Sequence, residues 1–212
     1  MSKRYPSIAF TDGVRAVQRD YNSHDFYGRK VAAGDASAGP DPLTEDEKDY
    51  LREVDGFFLA SIGETGWPYV QFRGGPPGFV RILDDHTIGW ADFRGNLQYI
   101  STGNVSGDDR VAIIALDYAH RRRLKIFGHA RIVTAEEDLE LLQSLSDDSY
   151  DAVVERAVLV SVEAYDWNCP QHITPRLTAA ELESALAPIR DELATLRAEN
   201  ARLHGQLEDI QR

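Results

Sequence analysis

GFFLASIGETGWPYVQFRGGPPGFVRILDDHTIGWADF, residues 56–93, reads as short apolar runs broken by turns. GFFLASI (56–62) is a run of strand type, ETG (64–66) a turn, and WPYVQFR (67–73) the returning strand. GGPPG (74–78) interrupts the pattern. FVRIL (79–83), DDH (84–86) and TIGWADF (87–93) then give a third strand, a turn and a fourth strand. Downstream, RVAIIALDY (110–118), LKIFGHARIV (124–133) and AVLVSVEAYDW (157–167) supply three more. Seven short strands joined mostly by hairpin turns predict an antiparallel barrel, because parallel pairing needs a long crossover after each strand. Between the strands, GNLQYIST (95–102) reads as a short helix, residues 135–145 as an acidic helix and 149–155 as a second helical piece.

Upstream, Thr11 caps a helix expected from Asp12 to about Tyr21, with Val14, Val17 and Tyr21 on one face. Residues 33–42 are small, contain Gly and Pro, and read as a loop. Thr44 with Glu47 three residues on forms a capping box for a helix to about Val54. Beyond the last strand, Leu182, Leu186, Ile189, Leu193, Leu196, Asn200, Leu203, Leu207 and Ile210 are separated alternately by four and three residues. That is an unbroken heptad seam with Leu186, Leu193, Asn200 and Leu207 at a and the others at d. A single Asn at a favours a two-stranded coiled coil. The alternative is one amphipathic helix packed on its own barrel. Pro188 predicts a kink or a fresh helix start. The expected fold class is mainly β with flanking helices (α+β): a helical segment over 1–54, a split antiparallel barrel over 55–176, and a coiled-coil helix over 177–212.

Among the 212 residues, 23 are Lys or Arg and 35 are Asp or Glu, a net charge of −12. That acidity disfavours nucleic acid, whose phosphates it repels. The single cysteine forms no internal disulfide. MSKRYPSIAF (1–10) has no apolar h-region and no run reaches membrane-span length, so the expectation is a cytoplasmic protein with no membrane partner. GxGxxG, Walker, HExxH and GxSxG patterns are missing, and the six histidines lack ligand spacing, so no metal is expected.

The basic residues concentrate in a few places. Arg73 ends a strand before Gly-Gly, Arg81 lies inside a strand, and Arg94 precedes Gly95-Asn96 and the expected helix. Arg121, Arg122, Arg123 and Lys125 open another strand. A phosphate monoester carries nearly two negative charges and wants several charge-assisted donors, and a helix start preceded by Arg and Gly adds backbone N–H groups. Arg73, Arg81 and Arg94–Asn96 therefore make one candidate phosphate cradle, against the plainer reading of surface arginines at strand ends. Trp67, Trp90, Phe93 and Trp167 are core aromatics or walls for a planar ligand. WNCPQHITPR (167–176) reads as a binding loop offering Asn168, Gln171 and His172, in preference to a Cys169–His172 nucleophile pair with no orienting third group.

Residues 60–105 resemble the flavin-binding core of the pyridoxamine 5'-phosphate oxidase-like family of FMN-binding split barrels. RRRLKIFGHARIV (121–133) and WNCPQHITPR (167–176) strengthen the resemblance and point to a bacterial subgroup. The resemblance implies a homodimer with FMN in the clefts between subunits. By position, Arg81 resembles the basic residue that reaches the FMN phosphate. Trp90, Ala91 and Asp92 resemble the strand along the flavin, and Arg94, Gly95 and Asn96 the loop closing on the phosphate. Arg73 stands just before the GGPPG insertion. Arg123 and Lys125 match a strand approaching the ring from the other subunit, and Gln171 and His172 resemble ring-side residues of the partner chain. Two departures stand out. Asn96-Leu97 occupies a place where the family often has a basic pair. A heptad helix also replaces the C-terminal segment that binds pyridoxal phosphate, so vitamin B6 oxidation is not implied. The resulting expectation is an FMN-dependent oxidoreductase of a small molecule, with no catalytic side chain assigned. The alternatives are a flavin carrier or sensor signalling through its coil, or haem or a deazaflavin in the same cleft.

Overall fold

The hairpin expected at 56–73 is formed by β1 (Gly56–Ile62) and β2 (Pro68–Gly74), which pair antiparallel with Phe57 opposite Arg73. The other strands are β3 (Arg81–Ile82), β4 (Thr87–Phe93), β5 (Arg110–Asp117), β6 (Arg122–Val133) and β7 (Val154–Trp167). The structure is a computed structural model and describes residues 4–33 and 39–210, so residues 34–38 of the loop expected at 33–42 fall outside the described residues. All seven strands join one antiparallel sheet in the order β2-β1-β5-β6-β7-β4-β3. The sheet curls on itself without closing. Phe57 on β1 meets Trp90 on β4 with ring centroids 5.0 Å apart, although three strands lie between them in the sheet. The fold is the expected split barrel.

Period-two alternation sorts the strands into an inner and an outer face. Phe57, Leu59, Ile88, Trp90, Ile113, Ile126, Val158, Val160 and Val162 point inward and are buried. Each such side chain contributes about 1.5–3 kcal/mol by leaving water. Ala91, Val133 and Ala157 face outward and are covered by Leu142 and Leu145 of α6 (Leu139–Leu145). At Phe127/Gly128 the β6–β7 register shifts, and an added Cβ on Gly128 would lie 2.5 Å from the Ser161 carbonyl oxygen.

Helices α1 (Tyr5–Ala9), α2 (Asp12–Asp20), α3 (His24–Ala33) and α4 (Glu45–Glu53) precede the sheet. Thr11 caps α2 as its sequence predicts, accepting from Val14 N–H at 3.4 Å, while Val14, Val17 and Tyr21 stay exposed. Glu47 Oε2 accepts from the Thr44 N–H at 3.0 Å, which fixes the start of α4. Its Oε1 accepts from Trp167 Nε1 at 2.5 Å, tying α4 to the end of β7.

Several elements depart from expectation. β3 is two residues long because Pro76 and Pro77 donate no N–H to a ladder and Phe79 N–H turns back to the Pro76 carbonyl at 2.9 Å. α5 covers Ile100–Gly107 rather than 95–102, since Leu97 and Tyr99 stand at φ 62° and 53°, left-handed geometry that a helix cannot include. Residues 149–155 are not helical, because β7 starts at Val154 to pair Arg156 with Asp92. The chain divides into two units, Met1–Asp117 with Arg121–Gln171 and Tyr118–His120 with His172–Arg212. In the second unit α7 (Ala179–Ile210) runs unbroken through Pro188, so no helix starts at the proline, and it buries none of its described side chains. Among the described residues no helix is long and apolar enough to cross a membrane.

Candidate functional site

At one end of the barrel the inward positions turn from apolar to polar. Continuing the inner row of β4 past Trp90 reaches Asp92, and continuing that of β7 back from Val158 reaches Arg156, directly opposite. The inner row of β2 is Tyr69, Gln71 and Arg73. Tyr69, Gln71, Arg73 and Asp92, together with Phe93, the segment 95–102 and Glu155, shape a cleft of about 180 Å³ in which Arg73, Asp92 and Glu155 supply the charges.

Arg73 Nη1 donates to Asp92 Oδ1 at 2.9 Å, and Arg156 Nε lies 3.4 Å from Asp92 Oδ2. Arg156 also pairs with Glu155, which accepts from Arg94 Nε at 2.9 Å and from the Tyr99 hydroxyl at 3.3 Å. The Arg156 guanidinium sits 4.6 Å from the Tyr99 ring centroid. Three guanidiniums thus pair with two carboxylates; Arg73, Asp92 and Glu155 line the cleft, while Arg94 and Arg156 reach it through the carboxylates. Burial pushes the Asp92 carboxyl up, and the charges of Arg73 and Arg156 only partly offset it. The hydrogen bond from Arg94 holds the Glu155 carboxyl below its ordinary value.

Two donors at this cleft are buried without a hydrogen-bond partner: Arg73 Nε and Ser101 Oγ. Ser101 is 5% exposed. Leaving such groups unpaired costs about 1–3 kcal/mol each. Leu97 and Tyr99, both on the rim, hold left-handed backbone that side chains other than Gly adopt at a cost of about 1–3 kcal/mol.

The residues singled out in the sequence are not all brought together. Arg73, Asp92, Gly95 and Asn96 line this one cleft, and Arg94 reaches it through Glu155. Arg81 lies opposite Gly89, and antiparallel partners share a face, so it points with Ala91 away from Asp92. Its Nε is buried and unpartnered. Trp90 is a core residue, 1% exposed, and its indole N–H has no partner. Ala91 belongs to the cluster under α6. On β6, Arg123 buries an unpartnered Nε, while the Lys125 ammonium lies 3.7 Å from Asp166 and 4.9 Å from the Tyr5 ring centroid. Gln171 is exposed at the end of the first unit. His172, at φ 64°, belongs to the second. No helix begins at Gly95, so that part of the cradle offers loop backbone and not a helix terminus.

Sequence reasoning missed Tyr99, Ser101, Glu155 and Arg156. The available signal was the inner row of β7, Val158-Val160-Val162, which reaches Arg156 when carried two residues further back. Reading 149–155 as helical hid it.

A family model for pyridoxamine 5'-phosphate oxidase matches residues 43–166, which span α4 and all seven strands. A comparison with curated proteins found no match. Among solved structures, HupZ of Group A Streptococcus is 17% identical, covering 64% of this chain and 99% of its own, with a TM-score of 0.45. A putative pyridoxamine 5'-phosphate oxidase of Lactobacillus delbrueckii is 17% identical over 59% of this chain and 94% of its own, with a TM-score of 0.45. An FMN-binding protein of Syntrophomonas wolfei is 10% identical over 74% and 97%, with a TM-score of 0.44.

Proposed function

Starting from the chain's membership of the pyridoxamine 5'-phosphate oxidase family, we propose that it is an FMN-dependent oxidoreductase of a small molecule whose cleft between β2, β4 and residues 95–102 holds the FMN phosphate. The observation that carries this reading is the pair of unpartnered buried donors, Arg73 Nε and Ser101 Oγ, at a cleft whose two carboxylates are each paired to arginine. A phosphate monoester of nearly two negative charges suits that donor set. Asp92 and Glu155 act as positioning groups that hold the Arg73 and Arg94 guanidiniums in place.

Ligand sites for molecules of this class enclose roughly 300–1,000 Å³. A cleft of about 180 Å³ accommodates the phosphate end and leaves the ring to be walled by other groups. A second copy of the chain is the proposed source of those walls. On the outer face of β1 and β2, Phe58, Ile62, Val70 and Phe72 are 37%, 38%, 58% and 54% exposed, and the Phe58 and Phe72 rings lie 5.5 Å apart. A contiguous apolar patch of that kind marks a protein interface. Arg123, Lys125 and Gln171 are the proposed ring-edge groups contributed across that interface. When bound, FMN supplies the two-electron chemistry, and the protein's part is to grip the phosphate, orient the ring and exclude water.

An absorbance spectrum of the purified chain, taken before and after adding FMN and then a panel of donors including NADH and NADPH, tests the reading. Bound flavin bands that bleach with a donor support it. A colourless protein that acquires no bound flavin overturns it. A haem or deazaflavin spectrum replaces the cofactor, and bound FMN inert to every donor replaces the oxidoreductase with a carrier.

A further inference from the structure

Helix α7 presents a heptad seam to solvent, with Leu186 half-buried and the other seam residues exposed. Leu182, Ile189, Leu193, Leu196, Leu203 and Leu207 are each 45% exposed or more, and Ile210 is 81% exposed. Pro188 and Gly205, the two residues least suited to a helix, fall at outward positions c and f and leave the seam intact. The flanking charges are sorted by position. With Leu186 at a, the g positions carry Glu192 and Glu199 and the e positions from Arg190 onward carry Arg190, Arg197 and His204, while Glu183 at the first e pairs with Arg190 on its own helix.

That sorting distinguishes the two ways in which identical helices can pair. In a parallel coil each g residue faces the e residue of the next heptad on the other chain. Glu192 then meets Arg197 and Glu199 meets His204, on both sides of the seam. In an antiparallel coil g faces g and e faces e. In one such register Glu192 would meet Glu199 and Arg190 would meet Arg197, and like charges repel. Asn200 at a adds a register constraint, because a parallel, in-register pair sets the two amides against each other, whereas a slipped pair buries each against leucine.

We propose that α7 pairs with α7 of a second copy as a parallel, in-register, two-stranded coiled coil. The proposal is independent of what the barrel binds.

Cross-linking of the full chain tests it. Cys169 is the single cysteine and is exposed, so Cys169→Ser gives a clean background for Ile210→Cys at the last d position. In a parallel pair the two thiols meet across the seam. In an antiparallel pair spanning Leu182 to Ile210 they stand about 40 Å apart at 1.5 Å per residue. Oxidation should convert the Ile210→Cys chain to a covalent dimer. Adding Glu192→Arg with Glu199→Arg should abolish that species. Co-expression with a chain carrying Ile210→Cys, Arg197→Glu and His204→Glu should restore it as a heterodimer. The proposal is overturned if Ile210→Cys fails to cross-link, if Leu182→Cys cross-links to Ile210→Cys instead, or if the cross-link is indifferent to the charge reversals.

Discussion

Replacing Arg73 by methionine removes one guanidinium from the cleft and keeps most of the apolar stem. Two effects follow, and they separate experimentally. On the ligand side one charge-assisted contact is lost, since Nη1 is already committed to Asp92 at 2.9 Å and the unpartnered Nε is the donor free to turn to a phosphate. Such a contact is worth about 1.5–3 kcal/mol, so the FMN dissociation constant should rise roughly 10- to 150-fold. On the protein side Asp92, with its side chain 7% exposed, keeps only Arg156 at 3.4 Å. Stripping one partner from a buried pair costs about 3–5 kcal/mol when the remaining charge has no other support. Asp92 retains Arg156, and burial already favours its protonated form, so a loss of about 1–3 kcal/mol is expected. The double variant Arg73→Met/Asp92→Asn removes the stranded charge and should recover most of that stability while FMN binding stays weak. Quenching of FMN fluorescence reads the first effect and thermal unfolding without flavin reads the second. FMN affinity equal to that of the parent in both variants would refute the placement of the phosphate.

The remaining predictions concern the scaffold. Gly128→Ala drives a Cβ to 2.5 Å from the Ser161 carbonyl oxygen and 2.7 Å from Val160 Cγ1, so urea unfolding should show a loss of about 1–3 kcal/mol; an unmoved midpoint would mean that the bulge relaxes freely. Phe72→Glu places a charge in the apolar patch on β1 and β2 and should abolish FMN retention even while α7 still pairs the chains, whereas undiminished flavin binding would show that another face makes the contact. Glu47 gives a pH signature. Burial pushes its carboxyl up, but the hydrogen bonds from Thr44 and Trp167 outweigh burial and hold it below the ordinary 4.5. A carboxylate depressed by folding stabilises the protein above its unfolded value and loses that contribution as pH falls through the folded one. The melting-temperature gap between the parent and Glu47→Gln should therefore be widest near neutral pH and narrow below pH 4.5; a constant gap would remove the charge from the account.

Much of this was legible in the chain. The hairpin at 56–73, the strand at 87–93 and the Thr44–Glu47 cap are local patterns, and each forms as written. What escaped was long-range or conformational. No residue type announces that Leu97 and Tyr99 will be left-handed, yet those two angles move the start of α5 away from Arg94. Glu155 and Arg156 carry helix-compatible side chains, and only pairing with β4 makes them strand. The grouping of Arg73, Arg81 and Arg94 rested on charge alone. Face parity separates Arg81 from the other two, and the carboxylates of Asp92 and Glu155 bind the pair that stays together.

Equilibrium titration of the full chain with FMN and with riboflavin, which lacks the phosphate, decides whether the Arg73–Ser101 cleft recognises a phosphate. One FMN should bind per chain, with a preference for FMN over riboflavin of at least about a hundredfold that salt weakens. Equal affinity for the two flavins would contradict it.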